Sequence, residues 1–220
     1  MKDAPSKTTI FGIVLTLTAF VVAFALYDKL PPVLPVHWGL RGNANGFMAK
    51  PWGVYIYPTM VGAMLLLKLV LPAISPRSFA IEPFTRAFNI LMAALMLFCA
   101  YLMGIVYASE LGAQVPIGRP VIGGVGVLLI VTGNFLGKVT KNFFIGIRTP
   151  WTLANDEVWF KTQRLGGWLL VLFGLVTTTV AIIDKFYEAA IAALGAAIII
   201  PIAYSFVISR QIDRATSHEG

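Results

Sequence analysis

The chain has 220 residues, of which 58% are hydrophobic and only 12% are charged, whereas soluble domains carry about 25% charged residues. This composition excludes an ordinary soluble domain and places the chain among membrane proteins. The net charge of +7 would suit a nucleic-acid partner, but basic residues beside spanning helices more often record insertion direction and contact with anionic lipid.

Several apolar runs approach the roughly 20 residues that a helix needs to cross a hydrocarbon core about 30 Å thick. They predict an all-α integral membrane protein, a six-helix transmembrane bundle. The predicted spans are 9–27, 54–71, 89–107, 121–135, 165–183 and 189–208. A signal peptide is the alternative for the first run, because Ala23, Phe24 and Ala25 resemble a signal-peptidase site, and cleavage there would leave five spans.

The distribution of Lys and Arg predicts the orientation of these spans. Assigning each of the 17 basic residues to the nearer membrane side places 12 on one side and 5 on the other. Cytoplasmic loops carry an excess of basic residues. Both termini and the loop before the fifth span are therefore predicted to be cytoplasmic.

The loop after the first span, "LPPVLPVHWGLRGNANGFMAKPWG", covers residues 30–53. Pro31, Pro32 and Pro35 favour extended backbone and cannot donate hydrogen bonds. Asn45 and Gly46 both tolerate positive φ, which is typical of a tight turn. We expect a short ordered hairpin or lid on the outer surface.

Inside the predicted spans, Lys68 is the main ionisable side chain. Since it is near the cytoplasmic end of the second helix, we expect its amine to extend to the headgroups. A place on an ion pathway is the alternative. Cys99, the single cysteine, lies in the third span, so an intramolecular disulfide is excluded.

The loop before the fifth span runs from about Gly137 to Gly167 and is the most charge-dense stretch. Asn155 is a predicted N-cap, and Asp156 and Glu157 follow it where the helix dipole favours negative charge. These signals predict a short cytoplasmic helix at about 156–164, lying in the membrane interface.

Aromatic residues alternate with basic residues along this loop, which suits a membrane interface with anionic lipid. A docking site for a cytoplasmic partner or an anionic small molecule is the alternative. In that case the planar guanidinium of Arg148 would bind carboxylate or phosphate in a bidentate manner.

Signals of an enzyme are missing from the sequence. It has no glycine-rich phosphate loop, no HExxH and no nucleophile elbow. The two histidines, His37 and His218, are assigned to opposite membrane sides, so a metal site lacks its ligands. We expect no catalytic residue, no metal and no cofactor. A membrane enzyme using Asp156 or Glu157 with Arg148 is the alternative, although carboxylates beside an N-cap are ordinarily dipole partners.

Several short motifs closely resemble the signature of the SdpI family, membrane immunity proteins against a secreted bacterial toxin peptide. They are "GN" at 133–134, Lys141 with Asn142, "GIRTPWTL" at 146–153, "VW" at 158–159 and "KTQRLGG" at 161–167. The stretch "LPPVLPVHWGLRGNANGF" is similar to the small domain of unknown function that commonly precedes that signature. The resemblance covers nearly the whole chain in the expected order.

The resemblance implies ligand-binding or partner-binding residues in both loops. In the loop before the fifth span they are Asn142, Gly146, Arg148, Thr149, Pro150, Trp151, Thr152, Trp159, Thr162 and Arg164; in the first loop they are His37, Trp38, Gly42 and Gly46. The family often has histidine where this chain has Gln163, and aspartate where it has Asn45. Proton transfer or metal binding at those two positions is therefore not expected here.

The same resemblance implies a division into a two-span unit at 1–72 and a four-span unit at 73–220, in the cytoplasmic membrane of a bacterium. It implies protection from a toxin peptide acting on that membrane. A second implied role is signalling, in which the toxin-loaded protein holds a transcriptional repressor at the membrane. A transporter or flippase for a lipid or small amphiphile is the alternative, although the spans carry few polar groups.

Overall fold

The computed structural model describes residues 6–39 and 43–218, and side chains as far as residue 215. The described residues contain six helices long and apolar enough to cross a membrane. They lie at Lys7–Lys29, Lys50–Ile74, Arg77–Glu110, Gly118–Leu136, Asp156–Ile183 and Tyr187–Ala215. The predicted all-α bundle of six spans is confirmed, and the chain is a multi-pass membrane protein.

The first span is helix α1, Lys7–Leu26, and it leads into a two-stranded antiparallel sheet. Strand β1, Val33–Trp38, pairs with β2, Ala44–Ala49. A four-residue helix α2, Lys50–Gly53, connects the sheet to the second span, α3, Ile56–Ile74. The predicted hairpin is therefore confirmed. We call this end of the bundle the hairpin end.

The predicted turn at Asn45 and Gly46 is wrong, because both residues lie within β2. Gly46 is paired with His37, and a Cβ on Gly46 would lie 2.8 Å from the Cβ of His37. The hairpin closes instead where the amide of Gly39 donates to the carbonyl of Asn43 at 2.9 Å. Glycine is needed at position 46 for close approach of the strands rather than for positive φ.

The third span is helix α4, Thr85–Glu110, and it packs against α1 and α3. At the hairpin end, the Tyr57 hydroxyl donates to the carbonyl of Pro35 at 3.0 Å, and the Tyr107 hydroxyl donates to the carbonyl of Val54. The first bond fixes the hairpin to α3, and the second fixes α4 to the segment between α2 and α3. The core here combines residues of α1, the hairpin and both of those helices: Ala19, Ala23, Leu30, Leu34, Val54, Tyr57, Met103, Val106 and Tyr107.

Lys68 is only 7% exposed, so its side chain is buried within the bundle. Its amine donates to Thr9 Oγ1 at 2.7 Å and to Ser6 Oγ at 3.3 Å. Both hydroxyls belong to the first turn of α1 and its N-cap. The amine therefore joins α3 to the start of α1.

The remaining spans are α5, Gly118–Leu136, α7, Asp156–Ile183, and α8, Tyr187–His218. Helices α5 and α7 cross at positions where both helices have glycine. A Cβ on Gly133 would lie 2.5 Å from the carbonyl oxygen of Gly167, and one on Gly126 would lie 2.8 Å from that of Gly174. Only glycine at these positions lets the two backbones come so close.

The structure corrects the predicted interfacial helix at 156–164, since these residues form the first turns of the continuous helix α7. Gly166 and Gly167 do not interrupt the helix, because they are contact positions: a Cβ on Gly166 would lie 2.4 Å from Ile147 Cδ1. The separate short helix is α6, Pro150–Ala154. The predicted N-cap is confirmed, with Asn155 Oδ1 accepting from the amides of Glu157 and Val158.

Candidate functional site

The loop between α5 and α7, residues 137–155, lies at the end of the bundle opposite the hairpin, which we call the loop end. Its centre is Asn142, whose side chain is fully buried. The Asn142 carbonyl oxygen accepts from the amides of Phe144 and Ile145 at 2.8 and 2.7 Å. Its amide nitrogen donates to the carbonyls of Thr140 and Ile145. All four hydrogen-bonding positions of this side chain are thus used within the loop.

Gln163 of α7 fixes the next part of the loop. Its Oε1 accepts from the amide of Ile147 at 2.9 Å, and its Nε2 donates to the carbonyl of Ile147 at 2.9 Å. Gly146 precedes this contact with φ of +116°, and a Cβ there would lie 2.8 Å from Gln163 Oε1. Glycine is therefore needed at 146 both for its backbone conformation and for space.

Thr149 and Thr152 form the capping box of α6. The hydroxyl of Thr149 accepts from the amide of Thr152 at 3.2 Å, and the hydroxyl of Thr152 accepts from the amide of Thr149 at 2.8 Å. Pro150 occupies the first turn, where no amide donor is required. This arrangement ends the extended loop and begins α6.

Two tryptophans, one in α6 and one in α7, connect the loop to other elements. Trp159, which is 3% exposed, donates through Nε1 to the carbonyl of Val139 at 2.8 Å. Trp151 donates to Ser205 Oγ of α8 at 2.6 Å, and its ring lies 5.4 Å from that of Phe206. Thr162 is fully buried, and its Oγ1 has no hydrogen-bond partner among the described residues.

The outer face of the loop end presents a different set of side chains. Arg148, Pro150 and Arg164 are exposed, and Arg148 Nη1 donates to the carbonyl of Phe143. Two lysines form ion pairs: Lys141 with Asp156 at 2.6 Å and Lys161 with Glu157 at 2.6 Å. Of the predicted contact residues in this loop, the exposed ones are available to a partner. The burial of Asn142, Thr149, Thr152, Trp159 and Thr162 favours a role in holding the loop in shape.

At the hairpin end, Trp38 and Gly39 cover a cavity of about 200 Å³. Its walls come from α5, α7 and α8, and its polar side chains are Thr177 and Tyr187. His37 is exposed and its Nδ1 lies 2.6 Å from Asn45 Oδ1. Gly46 lies opposite His37 on the facing strand. Gly42 lies outside the described residues. The two sets of predicted residues are therefore at opposite ends of the bundle.

Sequence reasoning missed the structural importance of Gln163 and Ser205, and of Gly126, Gly167 and Gly174 at the helix crossing. Gln163 lies within the "KTQRLGG" motif, which was the available signal. Gly126 and Gly133, like Gly167 and Gly174, are seven residues apart. Spacing of small residues by whole helical turns on two helices was the signal for a close crossing.

The described ionisable residues of the two ends do not gather into a metal-binding group. In the stretches 6–39 and 43–218, no three His, Cys, Asp or Glu side chains come together in a group that could hold a metal ion. The arrangement offers an apolar cavity at one end and a hydrogen-bonded surface loop at the other.

Comparisons with known protein families identify two matching regions of the chain. Residues 138–208 match the SdpI/YfhL protein family, and residues 14–62 match the domain of unknown function DUF1648. Immunity protein SdpI of Bacillus subtilis (strain 168) is 29% identical over 171 residues, covering 77% of this chain and 79% of that protein. No solved structure matches the chain. The resemblance to the SdpI family is confirmed, and the chain is similar to an immunity protein.

Proposed function

Because this six-helix membrane protein carries the SdpI/YfhL signature and is homologous to an immunity protein, we propose that it protects a bacterium by binding or neutralising a membrane-active toxin peptide. The supporting observation is the cavity at the hairpin end. Trp38 and Gly39 come from the region that matches DUF1648, while Thr177, Tyr187 and Ala190 come from the region that matches SdpI/YfhL. One cavity thus joins the two matched regions.

The chemistry of this cavity suits part of a peptide. It is lined mainly by apolar side chains, and a volume of about 200 Å³ accommodates a few side chains rather than a whole peptide. Thr177 and Tyr187 are the polar residues of its lining. Their hydroxyls donate to the carbonyl of Phe173 and to Asp184, so they offer a ligand acceptor positions rather than donors. We infer that apolar side chains of the toxin enter here while the rest of the peptide lies along the outer surface of the bundle.

We further propose that the loop end reports the occupied state to a cytoplasmic partner, in the manner of a repressor recruited to the membrane, and that its basic face contacts anionic lipid. Such signalling needs two states with different affinity for the partner, since a ligand that binds both states equally shifts nothing. Helix α7 lines the cavity with Thr177 and holds the loop with Gln163. It therefore connects the two ends directly. Helix α1 begins and helix α8 ends at the loop end, and we propose that this end lies in the cytoplasm.

The decisive experiment is survival of a sensitive bacterial strain challenged with the family's toxin peptide, with and without this protein in its membrane. We expect protection from the wild-type protein and impaired protection from Trp38→Ala at an unchanged protein level. Trp52→Ala is the matched control, because Trp52 is 74% exposed and does not line the cavity. Normal expression of the wild-type protein without protection would contradict the proposal.

The signalling step has its own test at Arg148. The Arg148→Ala variant removes an exposed guanidinium suited to carboxylate or phosphate, so recruitment of a cytoplasmic partner to the membrane should be lost while protection remains. Partner recruitment is measured by membrane fractionation of a fluorescently labelled repressor after toxin treatment. Arg86→Ala, an exposed arginine on α4, serves as the control. Unchanged recruitment by the Arg148 variant would exclude this contact.

A second candidate is the movement of a lipid or small amphiphile, and one observation favours it. A larger cavity of about 600 Å³, lined by apolar residues of α4, α5 and α7, has Arg119 at its edge. Arg119 is paired with Asp184 at 3.3 Å. Flux of a fluorescent lipid in proteoliposomes separates this function from binding alone, since a toxin-binding protein produces no flux.

A further inference from the structure

We propose that the groove between α5 and α7 at the loop end is a binding site for one anionic phospholipid. In this site Lys138 and Arg164 hold the phosphate, and the groove below them receives an acyl chain. The site is distinct from the cavity under Trp38, and the inference does not depend on the proposed immunity function.

The groove is a consequence of the glycine crossing. Gly133 and Gly167 bring the two backbones together, since a Cβ on either residue would lie 2.5 or 2.7 Å from the other's carbonyl oxygen. Glycine provides no side chain to fill the space beside the crossing. A hollow of about 330 Å³ remains there, bounded by Val171 and by Trp168, which is 70% exposed. This hollow faces the surroundings of the bundle.

The upper edge of the groove is positively charged. Lys138 and Arg164 are both exposed and both line it. Within the described part of the chain neither of them forms an ion pair, in contrast to Lys141 and Lys161. Lys138 also lines an adjoining cavity of about 610 Å³, where three basic residues, Arg77, Lys138 and Lys141, face one carboxylate, that of Asp156. Positive charge is therefore left uncompensated at this edge.

An anionic phospholipid matches this arrangement in both charge and polarity. Lys138 directly follows the last turn of α5, so it is placed where a spanning helix meets the headgroup region. An arginine beside a lysine provides a bidentate donor and a point charge for one phosphate. Trp168 lies one helical turn from Arg164, and tryptophan is enriched at membrane–water interfaces. A soluble phosphate would use the charged edge but leave the apolar hollow empty.

The test uses the full-length protein in detergent and native mass spectrometry during titration with phosphatidylglycerol or phosphatidylcholine. We expect one phosphatidylglycerol to be retained in preference to phosphatidylcholine. The double variant Lys138→Gln with Arg164→Gln should lower the apparent affinity about tenfold or more. The double variant Arg86→Gln with Arg210→Gln removes two exposed charges from the loop end but outside the groove, and it should bind like the wild type.

A third variant separates the groove from the charges. Gly137→Leu keeps both cations, and the nearest atom to its Cβ would be Arg164 Cα at 3.6 Å, an ordinary contact. It should fill the groove and lose phosphatidylglycerol while retaining wild-type thermal stability. Unchanged binding of phosphatidylglycerol by this variant would show that the acyl chain does not lie in the groove. Equal losses of affinity in the two charge variants would show that Lys138 and Arg164 do not form a specific site. Displacement of the lipid by excess glycerol 3-phosphate would show a soluble-anion site instead.

Discussion

The loop end and the hairpin end use their motif residues in different ways. At the loop end, Asn142, Thr152 and Gln163 are buried and direct their polar atoms at the backbone of residues 140–149. At the hairpin end, His37 is exposed and Trp38 faces a cavity. A motif residue can thus define the shape of a surface without forming the surface itself.

This difference separates two explanations for the same sequence signature. Residues that hold the loop affect any partner indirectly, through the position of Arg148 and its neighbours. Trp38 would affect a ligand directly. Variants in the first group should change stability together with function, while variants in the second group should change function alone.

The largest effect is expected for Gln163→Leu, which tests whether the loop end depends on its buried side chains. Leucine would leave the buried amide of Ile147 without a partner, which costs about 1–3 kcal/mol. The carbonyl of Ile147 would lose one hydrogen bond, worth about 1 kcal/mol, but keep that from the Thr152 hydroxyl. We expect a free energy of unfolding lower by roughly 2–4 kcal/mol, measured as thermal unfolding in detergent. Proteolysis should cut within 142–149 before other regions.

Arg164→Gln is the control for this prediction, because Arg164 is the exposed neighbour of Gln163 and such substitutions usually change stability by less than about 0.5 kcal/mol. A Gln163→Leu variant as stable as the control would show that the loop does not depend on this side chain.

The prediction of intermediate size concerns the hairpin end and uses Gly46→Val. The added Cβ would lie 2.8 Å from His37 Cβ, so the strands must separate locally, at a cost of about 1–3 kcal/mol. Hydrogen exchange should become faster in Val33–Trp38 and Ala44–Ala49. Exchange in the loop at 142–149 should stay unchanged, because the two ends do not share these contacts.

Ala49→Val is the matched variant in the same strand. Ala49 is exposed opposite Val33, and a β-branched residue suits such a position, so exchange in the hairpin should be unaffected or slower. Faster exchange at both ends in Gly46→Val would contradict independent ends and favour a single cooperative unit.

The features of this structure that could be predicted from sequence are those determined by residues close together in the chain. The six spans follow from the length and composition of apolar runs, and the Asn155 cap follows from its own neighbourhood. The Gly46 pairing depends on strand register, and the burial of Lys68 depends on hydroxyls 59 and 62 residues away. The division at 72 and 73 stays a prediction. The core under the hairpin combines residues from both sides of this division, such as Tyr57 and Tyr107.

Gly166 and Gly167 show the same limit in the candidate site. Glycine has low helix propensity, and the sequence predicted a separate short helix at 156–164, ending just before this pair. In the fold Gly167 meets Gly133, and Gly166 meets Ile147. The crossing gives these residues a packing role that outweighs their low helix propensity. The sequence does not show which buried polar groups hold the loop, because the crossing of α5 and α7 determines their hydrogen-bond partners.

The smallest predicted effect is that of the surface ion pair between Lys141 and Asp156. Although the Nζ to Oδ1 distance is 2.6 Å, the Asp156 side chain is 84% exposed, and exposed pairs of this kind contribute about 0.2–1 kcal/mol. Asp156→Asn should therefore lower the free energy of unfolding by less than about 1 kcal/mol, and raising the salt concentration should remove the difference. Thermal unfolding at low and high salt measures it. A loss comparable to that of Gln163→Leu would place the stability of the loop in its surface charges rather than in its buried hydrogen bonds.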